Sequence, residues 1–379
     1  MVGAGIGGLA AALSLRRAGW QVTVFEQAAA PRELGFALLL APNAMHALRA
    51  IGMADAMHAG GAVLKRVEIR RPDGRVLRRL DTSAVSRALG EDSVCALRPV
   101  LHGALLDAVG QADLRLGQPV TSFRQDGDVV VVEGALGALG AARLVVGADG
   151  VGSVLRRQLH PAAPPPRPSG LLAMRGVAWD AVAHLEGVSG AQYLGRGLEA
   201  GLARASDRAV YWYLSLRDDH VARAGGTSDP LALLRRIAEP FHPAFNAIVG
   251  ATRPEDLRLD ALITRAPLRS WGTGSVTLLG DAAHPMLPHA GQGAAQALED
   301  AVALGQIVRP ERPVPEALRR YEDIRQRRTS KVVAQAQRNA RMGSIDSRLG
   351  CALRDLAIRT APAALILKAQ VALGRPPVD

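Results

Sequence analysis

MVGAGIGGLAAALSLRRAGWQVTVFEQ, residues 1–27, is the stretch whose reading decides the fold. Gly3, Gly5 and Gly8 stand in the G-x-G-x-x-G spacing that turns a strand into a helix beside a pyrophosphate. The first glycine permits the tight turn, the second lets the backbone approach the phosphates, and the third lets the helix pack on the sheet. LAAALSLRRAGW predicts that helix, with Ala10, Ala11 and Ala12 allowing close packing and Gly19 ending it. VTVFEQ (22–27) reads as the next strand. Glu26 closes it, 18 residues after Gly8, where a carboxylate binds both hydroxyls of a ribose. Glu26 repels a 2′-phosphate, so the adenosine site suits NAD or FAD and not NADP. Only Met1 and Val2 precede the turn. A mean strand runs about five or six residues, so the first strand is expected to be short by about three or four, with the natural start upstream.

The chain has 379 residues and a formal charge of +11, carried almost wholly by arginine, since Lys65, Lys331 and Lys368 are the only lysines. The length suits two lobes. The arginines are spread out, and no aromatic residues interleave with a basic run as a base-stacking platform requires, so no nucleic-acid partner is expected. The cluster RRYEDIRQRRTSK (319–331) reads at helical spacing as one solvated face. Cys95 and Cys351 make neither a disulfide framework nor a metal cluster, and no metal is expected. The longest apolar runs, LGFALLLA and APAALILKA, fall short of the roughly 20 residues that span a bilayer, and no charged leader is seen. The expectation is a cytoplasmic protein without a membrane span, monomeric or homodimeric.

Along the chain, PNAMHALRAIGMADAM (42–57) reads as one helix, LKRVEIRRPDGRVLRRL (64–80) as a hairpin turning at PDG, and RPVLHGALLDAVG (98–110) as a helix. DVVVVEGALGALGAARLVVGADG predicts two strands with a Gly/Ala-rich connection. HPAAPPPRP (160–168) marks a crossing between lobes. Residues 169 to 263 are strand-rich, with AVYWYLSL (209–216) clearest and a helix near 229–239; helices follow to the end.

A second motif separates FAD from NAD. LLGDAAHP (278–285) ends a strand and puts Asp281 at its carboxyl edge, where α/β sheets bind ligands. HAGQGAAQALEDAVAL then begins a helix with small residues only, so the N–H groups from Gly291 to Ala294 can meet a flat anionic heterocycle such as a reduced flavin. Asp281 alone also suits a simple turn; the two motifs together favour the flavin.

GAGIGGLAAALSLRRAGWQVTVFEQ, LVVGADGVGSVLRR (144–157) and GDAAHPMLPHAGQGAAQALEDA together resemble the FAD-dependent aromatic hydroxylases, the single-component flavoprotein monooxygenases related to para-hydroxybenzoate and salicylate hydroxylases. APNAMHALRAIGM and RPVLHGALL are similar to further segments of that family, and the likeness runs from residue 2 to about 340. It implies an α/β fold with a Rossmann-like FAD-binding domain (1–69, 94–168 and 264–340) interleaved with a smaller substrate-binding sheet domain (70–93 and 169–263), then a C-terminal helical segment (341–379). It implies bound FAD, NAD(P)H as a transient co-substrate, and transfer of one atom of O2 to an aromatic substrate through a flavin hydroperoxide. Position by position, Glu26 would hold the adenosine ribose, Arg98 the pyrophosphate or ribityl chain, and Asp149 the cofactor and the NAD(P)H approach. Asp281 would bind the ribityl hydroxyls, Pro285 would lie against the isoalloxazine, and Gly291, Gly293 and Ala294 would bind its pyrimidine edge. GRGLEAG (195–201) has the wrong spacing for a second nucleotide turn, in keeping with transient nicotinamide binding.

An aromatic hydroxylase gains from a base that deprotonates a phenol. The candidates are His289, ranked first because it precedes the flavin-edge turn, with His284, Tyr211, Tyr213 and His46; each also reads as an ordinary loop or core residue. Arg175 and Arg196 are candidates for an anionic substrate. One departure from the family is ELGFALLLAPNA, where Ala37 to Leu40 suggest a greasy pocket wall and an apolar or polycyclic substrate. An epoxidase, a reductase, a halogenase or a silent flavin-fold binding protein remain rivals. A halogenase's W-x-W-x-I-P signature is absent, since Trp179, Trp212 and Trp271 lie in other contexts.

Overall fold

Val2 is held on both sides. Its N–H donates to the Val146 carbonyl at 2.9 Å, its own carbonyl accepts from Ala148 at 2.8 Å, and it forms parallel bridges with Gly147 and Phe25. Beside it, Phe25 donates to the Met1 carbonyl at 2.9 Å and Gly3 to the Phe25 carbonyl at 2.8 Å. The computed structural model describes residues 1–30, 36–223 and 229–376. In it the parallel sheet runs Leu114–Arg115, Val24–Phe25, Val2, Val145–Gly147, Val276–Leu278. Of VTVFEQ, only Val24 and Phe25 are ladder residues. The helix Ile6–Arg17 lies on this sheet, and Leu9, Ala10, Ala11 and Ala12 are wholly buried. Its neighbour is the helix Gly293–Ile307, so the two flavin-type motifs stand side by side.

The second lobe is one seven-stranded sheet in the order Thr252–Thr264, Arg167–Trp179, Ala209–Arg217, Leu198–Arg204, Gly190–Leu194, Arg66–Arg70, Val76–Asp81. All pairs are antiparallel except Gly190–Leu194 with Arg66–Arg70. Successive side chains alternate across a strand. Trp212, Leu214 and Leu216 therefore share a core with Leu233, Leu234, Phe241 and Phe245, under the helices Pro230–Ala238 and Pro243–Gly250. Tyr211, Tyr213 and Ser215 take the opposite face. The strand Arg66–Arg70 crosses the expected 69/70 lobe boundary, because the whole hairpin belongs to this sheet.

Three local expectations change. Residues 42–57 form two helices, Pro42–Ala50 and Ala54–Gly60, because Gly52 (φ +78°) breaks the run. The Gly/Ala connection is itself a strand, Gly137–Ala142, drawn into a hairpin with Val129–Gly134 that also pairs with Ser122–Asp126. The arginine cluster is not one solvated face. In the helix Val314–Gly343, Tyr321, Glu322, Arg325 and Thr329 are buried. Arg325 reaches Asp300 Oδ1 and Glu299 Oε2, each at 2.6 Å, on the neighbouring helix. A buried guanidinium is tolerated because it is paired and hydrogen-bonded. Beyond this helix the chain ends in two more, Arg348–Thr360 and Ala363–Gly374.

Candidate active site

The glycine turn is set by contact. A Cβ on Gly3, which has φ +101°, would fall 2.5 Å from the Ala148 carbonyl oxygen, and one on Gly8 would fall 2.0 Å from that of Gly3. Neither position admits a side chain. Gly5 differs: nothing lies within 4 Å of where its Cβ would be, and it opens onto a cavity of about 680 Å³ between the lobes. The helix behind it has no side-chain cap, which leaves its first N–H groups available to an anion. Glu26 is anchored by the N–H groups of Ala4 and Ala28 on its two oxygens, at 2.8 and 2.9 Å. Each oxygen keeps a lone pair for a ribose hydroxyl.

Across the cavity stand Arg98 and Asp281. Arg98 begins the helix Arg98–Val109, tied down by its N–H to the Phe36 carbonyl at 2.9 Å. Enclosure in the cavity lowers its pKa, with Asp281 opposing that shift and Arg175 adding to it. Asp281 is exposed into the cavity that it lines, with protein close enough around it to desolvate the carboxyl. Burial pushes its carboxyl above the usual range, against the pull of His284 and Arg98. Gly291 (φ +61°), Gln292, Gly293 and Ala294 line the same cavity at the start of the helix Gly293–Ile307, which has no side-chain cap. Asp149 Oδ2 accepts from Val154 N at 2.7 Å, the first N–H of a short helix that Ser153 caps. Its Oδ1 is buried without a partner, while flanking Ala148 and Gly150 line the cavity. An open glycine, an orphaned carboxyl oxygen, two uncapped helix starts and an enclosed arginine facing a carboxylate fit a dinucleotide with a flavin ring.

The sheet face forms the other wall. Tyr211, Tyr213 and Ser215 line it with Gln192 and Arg175. Tyr213 donates to Glu199 Oε1 at 2.8 Å, and Gln192 Nε2 donates to the same oxygen at 3.1 Å. Burial raises the Glu199 pKa, against those two hydrogen bonds and Arg354. Burial also raises the Tyr211 and Tyr213 phenols, so both stay protonated. His289 lines the cavity with Nε2 3.0 Å from Ser215 Oγ and Nδ1 buried without a partner. Its pKa is pushed down to about 4 by burial, which makes the ring neutral at pH 7.

Not every expected residue arrives here. His284 is buried away from the cavity, with Nε2 2.6 Å from Asp300 Oδ2 and its ring against Trp271. The loop folds inward there, as His284 N donates to the Gly280 carbonyl, so this imidazole cannot reach a substrate. Pro285 is half-buried outside the cavity lining, where Met286 and Pro288 stand instead. His46 Nε2 lies 2.7 Å from the Leu89 carbonyl, and Arg196 is tied to Asp346, both away from the cavity. Arg175 lines it but is ion-paired with Asp260. Glu199, Gln192 and Ser215 were not singled out from the sequence. A signal existed: Gly201 lies opposite Tyr213 in register, and a Cβ there would strike the Tyr213 ring at 2.3 Å.

Comparison with known proteins agrees with this geometry. The FAD binding domain family matches residues 1–336. The chain is 34% identical over 362 residues to the aurachin C monooxygenase/isomerase of Stigmatella aurantiaca, covering 95% of this chain and 93% of that one. It is 31% identical to the 6-hydroxynicotinate 3-monooxygenase of Bordetella bronchiseptica, covering 88% of each. Klebsiella pneumoniae HpxO, solved with FAD and uric acid, superposes with a TM-score of 0.90 at 26% identity, covering 98% of this chain and 95% of that one. The chain therefore belongs to the FAD binding domain family, as an FAD-dependent monooxygenase of the aromatic hydroxylase kind.

Proposed function

We propose that this monooxygenase takes electrons from NADH or NADPH and places one atom of O2 on an apolar or polycyclic aromatic substrate, the other atom leaving as water. The supporting observation is the composition of the cavity wall. Ala37, Leu38, Leu39, Leu64 and Met286 face Ala173, Ala203 and Tyr211. Both arginines among the described lining residues are committed: Arg175 is ion-paired with Asp260, and Arg98 is assigned in this reading to FAD. No cation is left over for a substrate carboxylate among the described lining residues. The Stigmatella relative is named for aurachin C and the Bordetella relative for 6-hydroxynicotinate, so the family's substrates are not uniform.

In this reading Gly3, Gly5, Gly8, Glu26, Arg98, Asp149, Asp281, Gly291, Gly293 and Ala294 hold FAD. When bound, FAD supplies the two-electron redox chemistry and the reaction with O2. The sheet wall keeps water out. Tyr213 spends its hydrogen on Glu199, which leaves the phenol oxygen as an acceptor for a substrate O–H or N–H. Tyr211 stays protonated and acts as a donor. A histidine with a pKa of about 4 is a weak base toward a phenol, so His289 orients the substrate with Ser215 and does not remove a proton outright.

The test is NADH and NADPH oxidation by the FAD-loaded protein against a panel of apolar polycyclic and small acidic aromatics, under isotopically labelled dioxygen. Stimulation by apolar members, with one labelled oxygen in the product, is the expected result. Stimulation by small acidic aromatics alone overturns the substrate reading.

A further inference from the structure

Of the eleven large apolar side chains exposed among the described residues, four stand on the last two helices: Leu349 (71% exposed), Leu353 (58%), Leu356 (55%) and Leu365 (61%). Most of the others are scattered singly, as is usual for a protein surface. On Arg348–Thr360, Leu349, Leu353 and Leu356 fall at i, i+4 and i+7, one stripe of the helix. Ala363–Gly374 follows after a 93° bend and carries exposed Leu365. The other exposed positions here are mostly alanine: Ala352, Ala357, Ala363, Ala364, Ala369 and Ala372.

The exposed charges on this pair are Arg348, Arg359, Lys368 and Arg375, all cations. The one acid between residues 348 and 376 is Asp355, which is buried and paired with Arg354 and Arg71. The inner face is committed to the fold. Arg78 donates to the Ile358 carbonyl at 2.7 Å, Arg354 to the Gly195 carbonyl at 2.9 Å, and Arg328 to the Leu373 carbonyl at 3.0 Å. The outer face is thus leucine and alanine with a rim of one sign.

We propose that this outer face docks the protein on an anionic phospholipid surface. Leucines on one side of a short helix enter the boundary between headgroups and acyl chains, and neighbouring cations meet lipid phosphates. Neither helix is long and apolar enough to cross a membrane; only the bent pair together has the required composition. The pair therefore lies along the surface and does not span it. A second copy of the chain is a poor occupant, because a two-fold contact brings four like charges against four.

The test is flotation of the FAD-loaded full chain with phosphatidylcholine vesicles, alone or with roughly 30 mol % phosphatidylglycerol. Binding to the anionic vesicles only, lost as sodium chloride rises from about 0.1 M to 1 M, is the expected result. Leu353→Glu with Leu356→Glu should weaken binding at least about tenfold. Arg348→Gln, Arg359→Gln and Lys368→Gln should each weaken it about fivefold. Melting temperature and FAD content report the fold of each variant and should not move. No binding to anionic vesicles, or undiminished binding by the double glutamate variant, overturns the proposal. So does a wild-type dimer that the glutamates convert to monomer without any lipid binding, which assigns the face to a second copy.

Discussion

Tyr213 donates its phenol hydrogen to Oε1 of Glu199 at 2.8 Å, while Oε2 of the same carboxyl is buried without a partner. That carboxyl comes from the strand Leu198–Arg204 and lies against the end of the helix Val314–Gly343, where a Cβ on Gly343 would meet its Oε2. It thereby fixes the orientation of a cavity-lining phenol from the same face of the sheet, where Glu199 lies opposite Ser215 in register.

Burial raises the Glu199 pKa, which sets the sign of its effect on stability. A carboxyl whose folded pKa lies above its unfolded value of about 4.3 supports the fold below that value, and its contribution is lost as pH rises through the folded pKa. Glu199→Gln keeps an acceptor for Tyr213 and removes the ionisation. Its melting temperature relative to wild type should improve from pH 5 to pH 8. Glu199→Ala strands two donors and should cost about 1–3 kcal/mol for each. A Gln variant less stable at pH 8 than at pH 5, relative to wild type, would show that the ionised form is the one the fold needs.

His289 carries the opposite sign. Its pKa falls to about 4 by burial, so protonation favours the unfolded chain. Its contribution is complete above about pH 6.5 and is lost as pH falls toward 4, by up to about 3 kcal/mol. His289→Gln should therefore lose less melting temperature than wild type between pH 7 and pH 4.5. At pH 7, His289→Ala should slow product formation more than flavin reduction in stopped flow. Equal losses in both half-reactions would move His289 from the substrate to the cofactor or the fold.

Gly5 and Gly8 should separate binding from folding. Gly8→Ala drives a Cβ into the Gly3 carbonyl, whereas Gly5→Ala meets no protein atom and sits at φ −73°, which alanine adopts freely. Gly8→Ala is expected to lower the melting temperature of the flavin-free protein. Gly5→Ala should leave it unchanged and lose FAD, because the new methyl occupies cavity space. Full FAD content in Gly5→Ala would remove the pyrophosphate from this turn.

Asp281→Ala should lose FAD and keep the fold, since the described structure gives this carboxyl no protein hydrogen bond. A charged hydrogen bond to a ribityl hydroxyl is worth about 1.5–3 kcal/mol, or roughly ten- to 150-fold in affinity. Equilibrium titration of flavin-free variant with FAD reads this directly. Unchanged affinity would reduce Asp281 to a turn residue.

The sequence determined the parts whose partners are near in the chain or are backbone. Gly3 and Gly8 must be glycine because they press on each other's turn and on Ala148, and the helix and strand that follow are local consequences of composition and period. The cofactor lobe was legible for that reason. Tertiary structure alone decided which polar residues reach the cavity. His284 and His289 lie five residues apart in one loop, and both are candidates to face a substrate, with His289 ranked first only for its place before the flavin-edge turn. Asp300 captures the first inside the core, while Ser215, from a strand in the other lobe, meets the second directly at the cavity wall. Arg325 reads as one more solvated arginine until Glu299 and Asp300 arrive from another helix to bury it. Charge and hydrogen-bond pairing act over a few ångströms with no regard to sequence distance, so a pattern of residue types cannot say which of two equivalent side chains finds its partner.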